Sequence, residues 1–398
     1  MRILFLPGSY TAPSARYRVL QFARPLRDLG HEVTVRVIRP ERSWRSFLPG
    51  RGLRRVHNLA GTLMRLGSAA AALRDVERFD VVLLHRDLLP EMRIEALEPR
   101  IARRNPRVIF DFDDAIYLGS RDAKLRKILP CFAAATAGNE TLAAYARQWN
   151  GNVVVLPTVV DTGYYRPANV RAEGSLRIGW TGSEGPMNKH LPLVEPVVQA
   201  LAREYDFEFV VISGRPPAWQ WPGIRLRFIR WDPKTETEDL QKIDIGLMPL
   251  PDGPFEAGKC GAKAILHMAA GAPVVASPVG VNRQIVVHGE TGFHCTGEGE
   301  WRDALATLLH DEKLRHRMGK AGRDRAVALY SQRAVLPRMV SLFAQVAALP
   351  AAMRPEPPRA LRPVAVAHAA PAGTPMGFPA GGTKPRGGEV PETTDQVS

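Results

Sequence analysis

A cluster of glycines and lysines is the part of this chain best suited to chemistry. It opens the segment GKCGAKAILHMAAGAPVVASPVGVNRQIVVHGETGFHC, which spans residues 258–295. A helix that begins near Gly261 offers unpaired backbone N–H groups and the positive end of its dipole, and Gly258 and Gly261 let an anion approach the main chain. Lys259 and Lys263 are four residues apart, so both ammonium groups can lie on one face of the first turn. Since cations are unfavourable at a helix N-terminus, the pair predicts a diphosphate pocket.

The second half of this segment, HMAAGAPVVAS at residues 267–277, resembles the donor-binding segment of the retaining glycosyltransferases of family four (glycosyl transferases group 1), which have the GT-B fold. That family holds its nucleotide sugar with an E-x7-E helix, whose glutamates contact the sugar and the ribose. Here the two glutamate positions are Gly258 and Leu266, and Glu256 stands two positions early. Gly261 matches the glycine whose backbone meets the phosphates. The resemblance implies that these residues surround the donor.

A second resemblance lies at residues 176–191, LRIGWTGSEGPMNKHL, which is similar to the first strand and loop of the family's donor domain. In the family an arginine after the glycine and a lysine six residues later neutralise the leaving diphosphate. Gly182 matches the glycine, Ser183 stands at the arginine position and Lys189 at the lysine position. The resemblance implies that Lys189 is catalytic and that one lysine of the later segment replaces the arginine. A solvated lysine at a helix start is the alternative.

Polar residues also follow the predicted strands of the first half, where ligands of open α/β sheets bind. Gly8 follows the first strand, at a turn that allows a substrate to come close. His85 ends the VVLL strand and either contacts the transferred sugar or is structural. Asp113 and Asp114 follow the VIF strand, where they can bind or deprotonate an acceptor hydroxyl, or cap the next helix. We interpret DFDDAIY as an acceptor-side motif and not as a metal-binding D-x-D, because the GT-B relatives use lysines and helix ends in place of a divalent ion.

Positive charge is concentrated in the first part of the chain. Residues 1–110 hold 21 Lys and Arg against 10 Asp and Glu, most of the total surplus of +14. Residues 42–75 alternate arginines with aromatic and leucine residues, which suits an anionic membrane surface, a phosphate-bearing acceptor or an ordinary amphipathic surface helix. Arg16 and Arg18 can meet a phosphorylated acceptor or be passive surface charges. No zinc finger, RNP motif or homeodomain pattern is present, so we expect no nucleic-acid partner.

Short runs rich in Val, Ile and Leu, separated by helix-length segments, predict parallel strands with crossover helices. The same alternation of strands and helices begins again near residue 176, which predicts two α/β, Rossmann-like domains with parallel sheets. The family resemblance implies that they form a GT-B fold, with the sheets facing across a cleft. The predicted strands lie near 2–7, 33–38, 80–84, 107–112, 153–156, 176–181, 208–213, 225–229, 243–248, 273–276 and 291–295. The predicted divisions are an acceptor-binding domain at 1–160, a hinge linker at 161–175, a nucleotide-sugar-binding domain at 176–348 and a disordered Pro/Gly/Ala-rich tail at 349–398.

Composition limits the location and the cofactors. No run of about 18 uncharged apolar residues exists, so we expect no membrane span. Three scattered cysteines favour reduced thiols in the cytoplasm over a disulfide framework. We expect a cytoplasmic protein, with peripheral contact at the inner face of the cell membrane left open. The predicted partners are a nucleoside diphosphate sugar as substrate and a glycan or lipid-linked acceptor, with no metal or other cofactor.

The resemblance implies transfer of a sugar to a hydroxyl with retention of anomeric configuration, in polysaccharide biosynthesis. A nucleotide-sugar epimerase is disfavoured because the resemblance covers both donor-domain segments. It also covers the connection between the domains, which is similar to the family's P-x-x-V-D-x-x-x-[FY]-x-P pattern at Pro157, Val160, Asp161, Tyr165 and Pro167. A noncatalytic GT-B-like binding protein stays open, because Ser183 and Leu266 stand where the family has donor ligands. A dinucleotide-dependent oxidoreductase is disfavoured because PGSYTAPSAR, and no G-x-G-x-x-G, follows the first strand.

Overall fold

A computed structural model describes residues 1–10, 12–37, 67, 70–71, 73–88, 97–168 and 174–350. Two six-stranded parallel sheets form its framework, which confirms the predicted fold class. The first sheet has the order β2-β1-β3-β4-β5-β6 and the second the order β12-β11-β10-β7-β8-β9. The strands are β1 Arg2–Leu6, β2 Glu32–Val35, β3 Val81–His85, β4 Val108–Phe112, β5 Ala134–Ala137, β6 Val153–Val155, β7 Leu176–Thr181, β8 Phe207–Ser213, β9 Leu226–Arg230, β10 Ile245–Met248, β11 Val274–Ala276 and β12 Gly292–His294.

Helices lie between most consecutive strands of the described residues, as is usual for parallel pairing, whereas β8 and β9 are joined without one. The α-helices of the described residues are α1 Pro13–Arg18, α2 Ala23–Asp28, α3 Leu97–Arg104, α4 Asp122–Ile128, α5 Glu140–Arg147, α6 Glu184–His190, α7 Glu195–Leu201, α8 Glu236–Leu240, α9 Pro254–Ala257, α10 Ala262–Ala269, α11 Asn282–Ile285, α12 Glu298–His310, α13 Glu312–Leu329 and α14 Gln332–Ala347. Short 3₁₀ turns lie at Leu20–Phe22, Val76–Arg78, Leu129–Cys131 and Leu191–Val194.

The strand pattern in the sequence reflects burial on both faces. Every residue of β3 and β4 is buried, as expected for parallel strands covered by helices on both sides. Every strand predicted from the sequence is present in the structure. The structure also contains β5, which was not predicted. Its sequence, AATA, has Thr136 as its single β-branched residue and three alanines, which are depleted in strands, and β5 is fixed by pairing with β4 and β6.

Strand order reverses once in each sheet, and each reversal marks a ligand crevice. In the first sheet β1 lies between β2 and β3. The connection that leaves β1 therefore runs towards one edge of the sheet, and the connection that leaves β3 runs towards the other edge. In the second sheet the same change occurs between β7 and β10. The loops and helices that follow these four strands carry most of the predicted site residues.

The last helix, α14, packs on the first domain although it follows the second. Its Phe343 lies edge-on to Phe5 of β1, with ring centroids 6.4 Å apart, and Val335 joins the same core. Just before α14, Ser331 pairs with Val160, the residue that precedes the predicted linker, so the chain crosses between the domains twice at neighbouring positions. Residues 176–331 therefore hold the second domain, and α14 belongs to the first by packing.

Several predictions concern segments outside the described residues. Most of the basic stretch at 42–75 lies there, as does the tail from residue 351 onward. Within the described parts of the chain, no helix has the length and apolar character needed to cross a bilayer.

Candidate functional site

A cavity of about 640 Å³ opens between the two domains, at the ends of the strands where the order reverses. Its volume is within the usual range of ligand sites. The cavity brings together nine predicted site residues from both halves of the sequence. They are Arg16, Asp113, Asp114, Gly182, Ser183, Lys259, Gly261, Lys263 and Leu266.

The start of α10 forms one wall of the cavity. Gly261 precedes the helix with φ +66°, and the helix has no side-chain cap. A Cβ on Gly261 would lie 2.1 Å from Cδ1 of Ile285, so both the backbone angle and the space require glycine. The first N–H groups of α10 are thus left for a ligand in the cavity.

Lys263 places a cation beside this helix start. Its Nζ lies 5.3 Å from the centre of the Trp180 ring, and no carboxylate in the described parts of the chain lies within ion-pair distance of it. Burial and the nearby charge of Lys259 lower the pKa of Lys263 to about 8. A Cβ on Gly182 would lie 2.5 Å from Cε of Lys263, so the glycine makes room for the lysine. A largely buried cation without a counter-ion calls for an anionic ligand.

Lys259 faces the first domain. Its Nζ lies 3.0 Å from Oδ1 of Asp114 and 4.4 Å from the centre of the Phe255 ring. Asp114 also binds Arg86 at 2.6 Å, and Arg86 donates from Nε to Asp113 at 2.9 Å. These contacts form an ion network across the cleft. Lys259 and Lys263 therefore lie on the same wall of the cavity, but Lys259 pairs with Asp114 and Lys263 does not.

Arg86 adopts φ +58°, a left-handed conformation that is uncommon outside glycine. The residue directly follows β3, and its side chain reaches both aspartates from there. Burial acts to raise the pKa of Asp113, but the charge of Arg86 holds it below its usual range. Sequence reasoning did not assign a role to Arg86, because its pairing with the two aspartates depends on an unusual backbone angle.

Lys189, the predicted catalytic lysine, pairs with Glu256. Its Nζ lies 2.5 Å from Oε1 of Glu256, and Nε2 of His190 lies 3.5 Å from the same oxygen. Neither Lys189 nor Glu256 is among the residues that line the cavity. Burial acts to raise the pKa of Glu256, but the bond from Lys189 keeps it lowered. The structure thus joins these two predicted residues to each other.

Gly258, the position of the first family glutamate, packs against the first domain. A Cβ there would lie 2.8 Å from Cβ of Ala115 and 3.1 Å from Cδ2 of Leu142. Asn139 donates to the carbonyl oxygens of Gly258 and Lys259, each at 3.0 Å. Contact between the domains therefore takes the space that a glutamate side chain would need. At the second position, Leu266 lines the cavity with an apolar side chain.

The two arginines predicted to meet an acceptor are both paired. Arg16 lines the cavity, but its guanidinium lies 2.8 Å from Glu236, which Tyr165 also binds at 2.8 Å. Arg18 is 4% exposed and binds Asp111 at 2.5 Å. We therefore correct the placement of Arg18: it is a buried partner of Asp111 and does not line the cavity.

Neither His85 nor Gly8 lines the cavity. His85 is 1% exposed, with Nδ1 2.8 Å from Oδ2 of Asp111 and Nε2 3.3 Å from Oγ of Ser14. Ser14 does line the cavity. Sequence reasoning missed Ser14, although its place in the loop and helix after β1 is the signal that could have found it.

No group of three or more His, Cys, Asp or Glu side chains in the described ranges could hold a metal ion. The arrangement instead offers backbone N–H groups and a free ammonium group on one wall, and carboxylates and a hydroxyl on the other. Such a site can bind a diphosphate and place a polar group next to it.

Comparison with known proteins agrees with this geometry. Residues 241–325, which contain α10, match the family model described as "Glycosyl transferases group 1". The phosphatidyl-myo-inositol mannosyltransferase of Mycolicibacterium smegmatis is 25% identical over 343 residues, 79% of this chain and 86% of the relative. The D-inositol 3-phosphate glycosyltransferase of Corynebacterium glutamicum is 34% identical over 219 residues, and the alignment spans 48% of this chain and about half (51%) of that relative.

Solved structures show the same fold. Sucrose-phosphate synthase from Thermosynechococcus elongatus superposes with a TM-score of 0.65 at 18% identity, covering 87% of this chain and 98% of the other. Anabaena Alr3699/HepE, solved in complex with UDP and glucose, gives a TM-score of 0.60 at 15% identity, covering 86% and 99%. The match of residues 241–325, the relatives and the two facing parallel sheets agree with one another, and together they support a group 1 glycosyltransferase with the GT-B fold.

Proposed function

We propose that this protein transfers a glycosyl group from a nucleoside diphosphate sugar to a hydroxyl group of an acceptor. Lys263 carries the proposal. It is a largely buried ammonium group beside a helix start whose N–H groups face the same cavity. Burying such a charge is costly without a counter-ion, and a diphosphate supplies one. The UDP bound by Alr3699/HepE, a protein of the same fold, supports a nucleotide as the carrier of that diphosphate.

The leaving diphosphate gains negative charge as the glycosidic bond breaks. Lys263 and the N–H groups after Gly261 stabilise that charge, and Lys259 does so if the diphosphate takes the place of Asp114. The hydrogen bond from Asn139 to the carbonyl oxygen of Gly258 joins the two domains beside the cavity. In the proposed reaction, closure of the cleft excludes water, which competes with the acceptor for the donor.

The finer assignments are part of this proposal and follow from family resemblance. They are retention of anomeric configuration, a reaction without a metal ion, and a role in polysaccharide assembly in the cytoplasm, with peripheral contact at the membrane. For the acceptor we propose a glycan or lipid-linked saccharide. The relatives' names add a second class, the inositol phosphates.

A noncatalytic binding protein is the second candidate function. It is favoured by one observation, that neither Gly258 nor Leu266 supplies the carboxylate found at those positions in the family. Binding of a nucleoside diphosphate alone does not separate the two candidates. Release of nucleotide from a bound nucleotide sugar does.

The test is calorimetric titration with UDP, GDP and ADP, followed by nucleotide release from UDP-glucose and GDP-mannose. Lys263→Met keeps the length of the side chain and removes its charge. We expect it to weaken nucleotide binding about 100-fold, the loss of one desolvated charge-assisted contact of about 3 kcal/mol. Lys320→Met is the matched control, because Lys320 is exposed and pairs with Asp324 on α13.

Equal affinity in Lys263→Met and the wild type would overturn the proposed donor pocket. Binding that depends on Lys263, without release of nucleotide from any sugar donor, would favour the noncatalytic candidate.

A further inference from the structure

Asp114 of the first domain holds Lys259 of the second domain across the cavity. Oδ1 of Asp114 lies 3.0 Å from Nζ of Lys259, whereas Oδ2 of Asp114 lies 2.6 Å from a guanidinium nitrogen of Arg86. Asp114 and Lys259 both line the cavity, and their side chains are only 23% and 18% exposed. The carboxylate of Asp114 therefore binds two cations, one through each oxygen, and one of these cations faces the proposed donor pocket.

The proposed donor needs more positive charge than Lys263 alone supplies. A nucleoside diphosphate sugar carries a negative charge on each of its phosphate groups, and partly buried anions require matching cations. The cationic side chains of the described residues that line the cavity are those of Arg16, Arg215, Lys259 and Lys263. A further cation must therefore join Lys263, and the other three candidates have the carboxylate partners Glu236, Glu184 and Asp114, respectively.

Lys259 is the best placed of these candidates to join Lys263. It precedes α10 on the same wall of the cavity, close enough for its charge to lower the pKa of Lys263. Arg215 follows β8, which is separated from β10 by β7. Arg16 belongs to the first domain and is held by the buried carboxylate of Glu236. The diphosphate can therefore gain its further cation by taking Lys259 from its partner.

Lys259 can change partners without a change in its backbone. Its carbonyl oxygen accepts a hydrogen bond from Asn139 at 3.0 Å, which fixes the main chain. The centre of the Phe255 ring lies 4.4 Å from Nζ of Lys259, a favourable contact for an ammonium group. This group ends a flexible stem, so it can turn from Asp114 to a phosphate oxygen. Asp114 then keeps Arg86 on its Oδ2 and is not left without a partner.

We propose that Asp114 competes with the donor diphosphate for Lys259, and that donor binding frees Oδ1 of Asp114 to accept a hydrogen bond from the acceptor hydroxyl. The proposal rests on the proposed transferase function. Because the acceptor contact becomes available only when the diphosphate has taken Lys259, the donor binds before the acceptor. Asp114 thereby couples the two substrates.

The freed oxygen of Asp114 is suited to bind a hydroxyl and not to remove its proton. An ionised carboxylate oxygen accepts hydrogen bonds, and Arg86 on the other oxygen favours the ionised form and makes the carboxylate a weak base. Asp114 and the diphosphate both bind Lys259, so a hydroxyl at Oδ1 lies on the side of the leaving group. Retention of configuration requires attack from that side.

The first experiment is calorimetric titration of UDP and GDP into the wild type, Asp114→Asn, Lys259→Met and the double variant. We expect Asp114→Asn to tighten nucleotide binding about tenfold, a usual size for linked equilibria, because the diphosphate no longer competes with a carboxylate for Lys259. In the Lys259→Met background the same substitution should change Kd by less than about threefold, since only through-space repulsion remains. Asp324→Asn is the matched control, because Asp324 pairs with Lys320 on the surface of α13 and should leave Kd unchanged.

The second experiment measures cleavage of UDP-glucose and GDP-mannose, with water as the acceptor, in a single turnover. Under this condition, release of tightly bound nucleotide does not limit the rate. We expect Asp114→Asn to cleave the donor about 10- to 100-fold more slowly, the loss of one hydrogen bond to a charged group. Tighter binding together with slower cleavage separates this role from a structural one, which would weaken both.

Equal or weaker nucleotide binding by Asp114→Asn, or equal tightening with and without Lys259, would overturn the competition. A wild-type rate of cleavage in Asp114→Asn would overturn the contact with the acceptor. Each of these results leaves the binding of nucleotide to Lys263 intact. If Lys263→Met binds nucleotide normally, or the wild type releases no nucleotide, the transferase proposal falls and the role of Asp114 falls with it.

Discussion

Binding of a nucleoside diphosphate should take up protons at alkaline pH, because of Lys263. In the free protein, burial and the charge of Lys259 lower the pKa of Lys263 to about 8. A phosphate charge at ~4 Å contributes about 4 kcal/mol at an effective dielectric constant of ~20. At 1.36 kcal/mol per pKa unit, this interaction raises the pKa of Lys263 by roughly three units, which returns it to the ordinary range of a lysine.

The expected uptake follows from these two pKa values. Free Lys263 is about half protonated at pH 8 and about one tenth protonated at pH 9, while bound Lys263 is nearly fully protonated at both. Binding should thus take up about half a proton at pH 8 and about nine tenths at pH 9. Phosphate groups add little there, because their second ionisation near pH 6 is complete. Affinity should weaken by up to about tenfold per pH unit above pH 8.

The assay is titration of UDP or GDP by calorimetry at pH 7, 8 and 9, in pairs of buffers with different ionisation enthalpies. The difference between buffers gives the number of protons taken up. Lys263→Met should abolish the uptake, and Lys320→Met should preserve it. Tight binding by the wild type at pH 9 without proton uptake would refute the argument that Lys263 meets the diphosphate.

Three substitutions test the surrounding structure by urea unfolding and nucleotide titration. Gly258→Glu should lower the free energy of unfolding by about 1–3 kcal/mol or open the cleft, because a Cβ at this position would lie 2.8 Å from Cβ of Ala115. An unchanged free energy of unfolding together with an unchanged scattering profile would contradict the packing argument. Gly261→Ala should lose about 1–3 kcal/mol and weaken nucleotide binding, because of its positive φ and the contact with Ile285; an unaffected Kd would separate α10 from the donor. Asp111→Ala should lose about 3–5 kcal/mol by leaving Arg18 buried and unpaired, and a loss below 1 kcal/mol would show that the pair relaxes.

The sheets could be predicted from sequence because strands buried on both faces must be rich in Val, Ile and Leu. The start of α10 could also be predicted, since Gly261 and the run that follows it are local signals. Strand β5 could not be predicted, because its alanines give no local signal. It forms because it pairs with β4 and β6.

The partners of charged residues were beyond sequence reasoning. Lys189 and Glu256 are 67 residues apart, and their 2.5 Å contact depends on how α9, which follows β10, lies against α6. Arg18 was predicted to meet an acceptor, but the fold buries it against Asp111 of β4, a partner 93 residues away in sequence. Residue type and spacing could therefore place side chains near the cleft, but only the tertiary arrangement separates Lys263, which lacks a carboxylate partner among the described residues, from the paired cations.

A crystal structure of the protein with UDP or GDP bound tests the central claim most directly. We expect the diphosphate oxygens within about 3 Å of Nζ of Lys263 and of the backbone N–H groups that follow Gly261. A diphosphate bound to Lys189, or a nucleotide outside the cavity between the two sheets, would contradict the account.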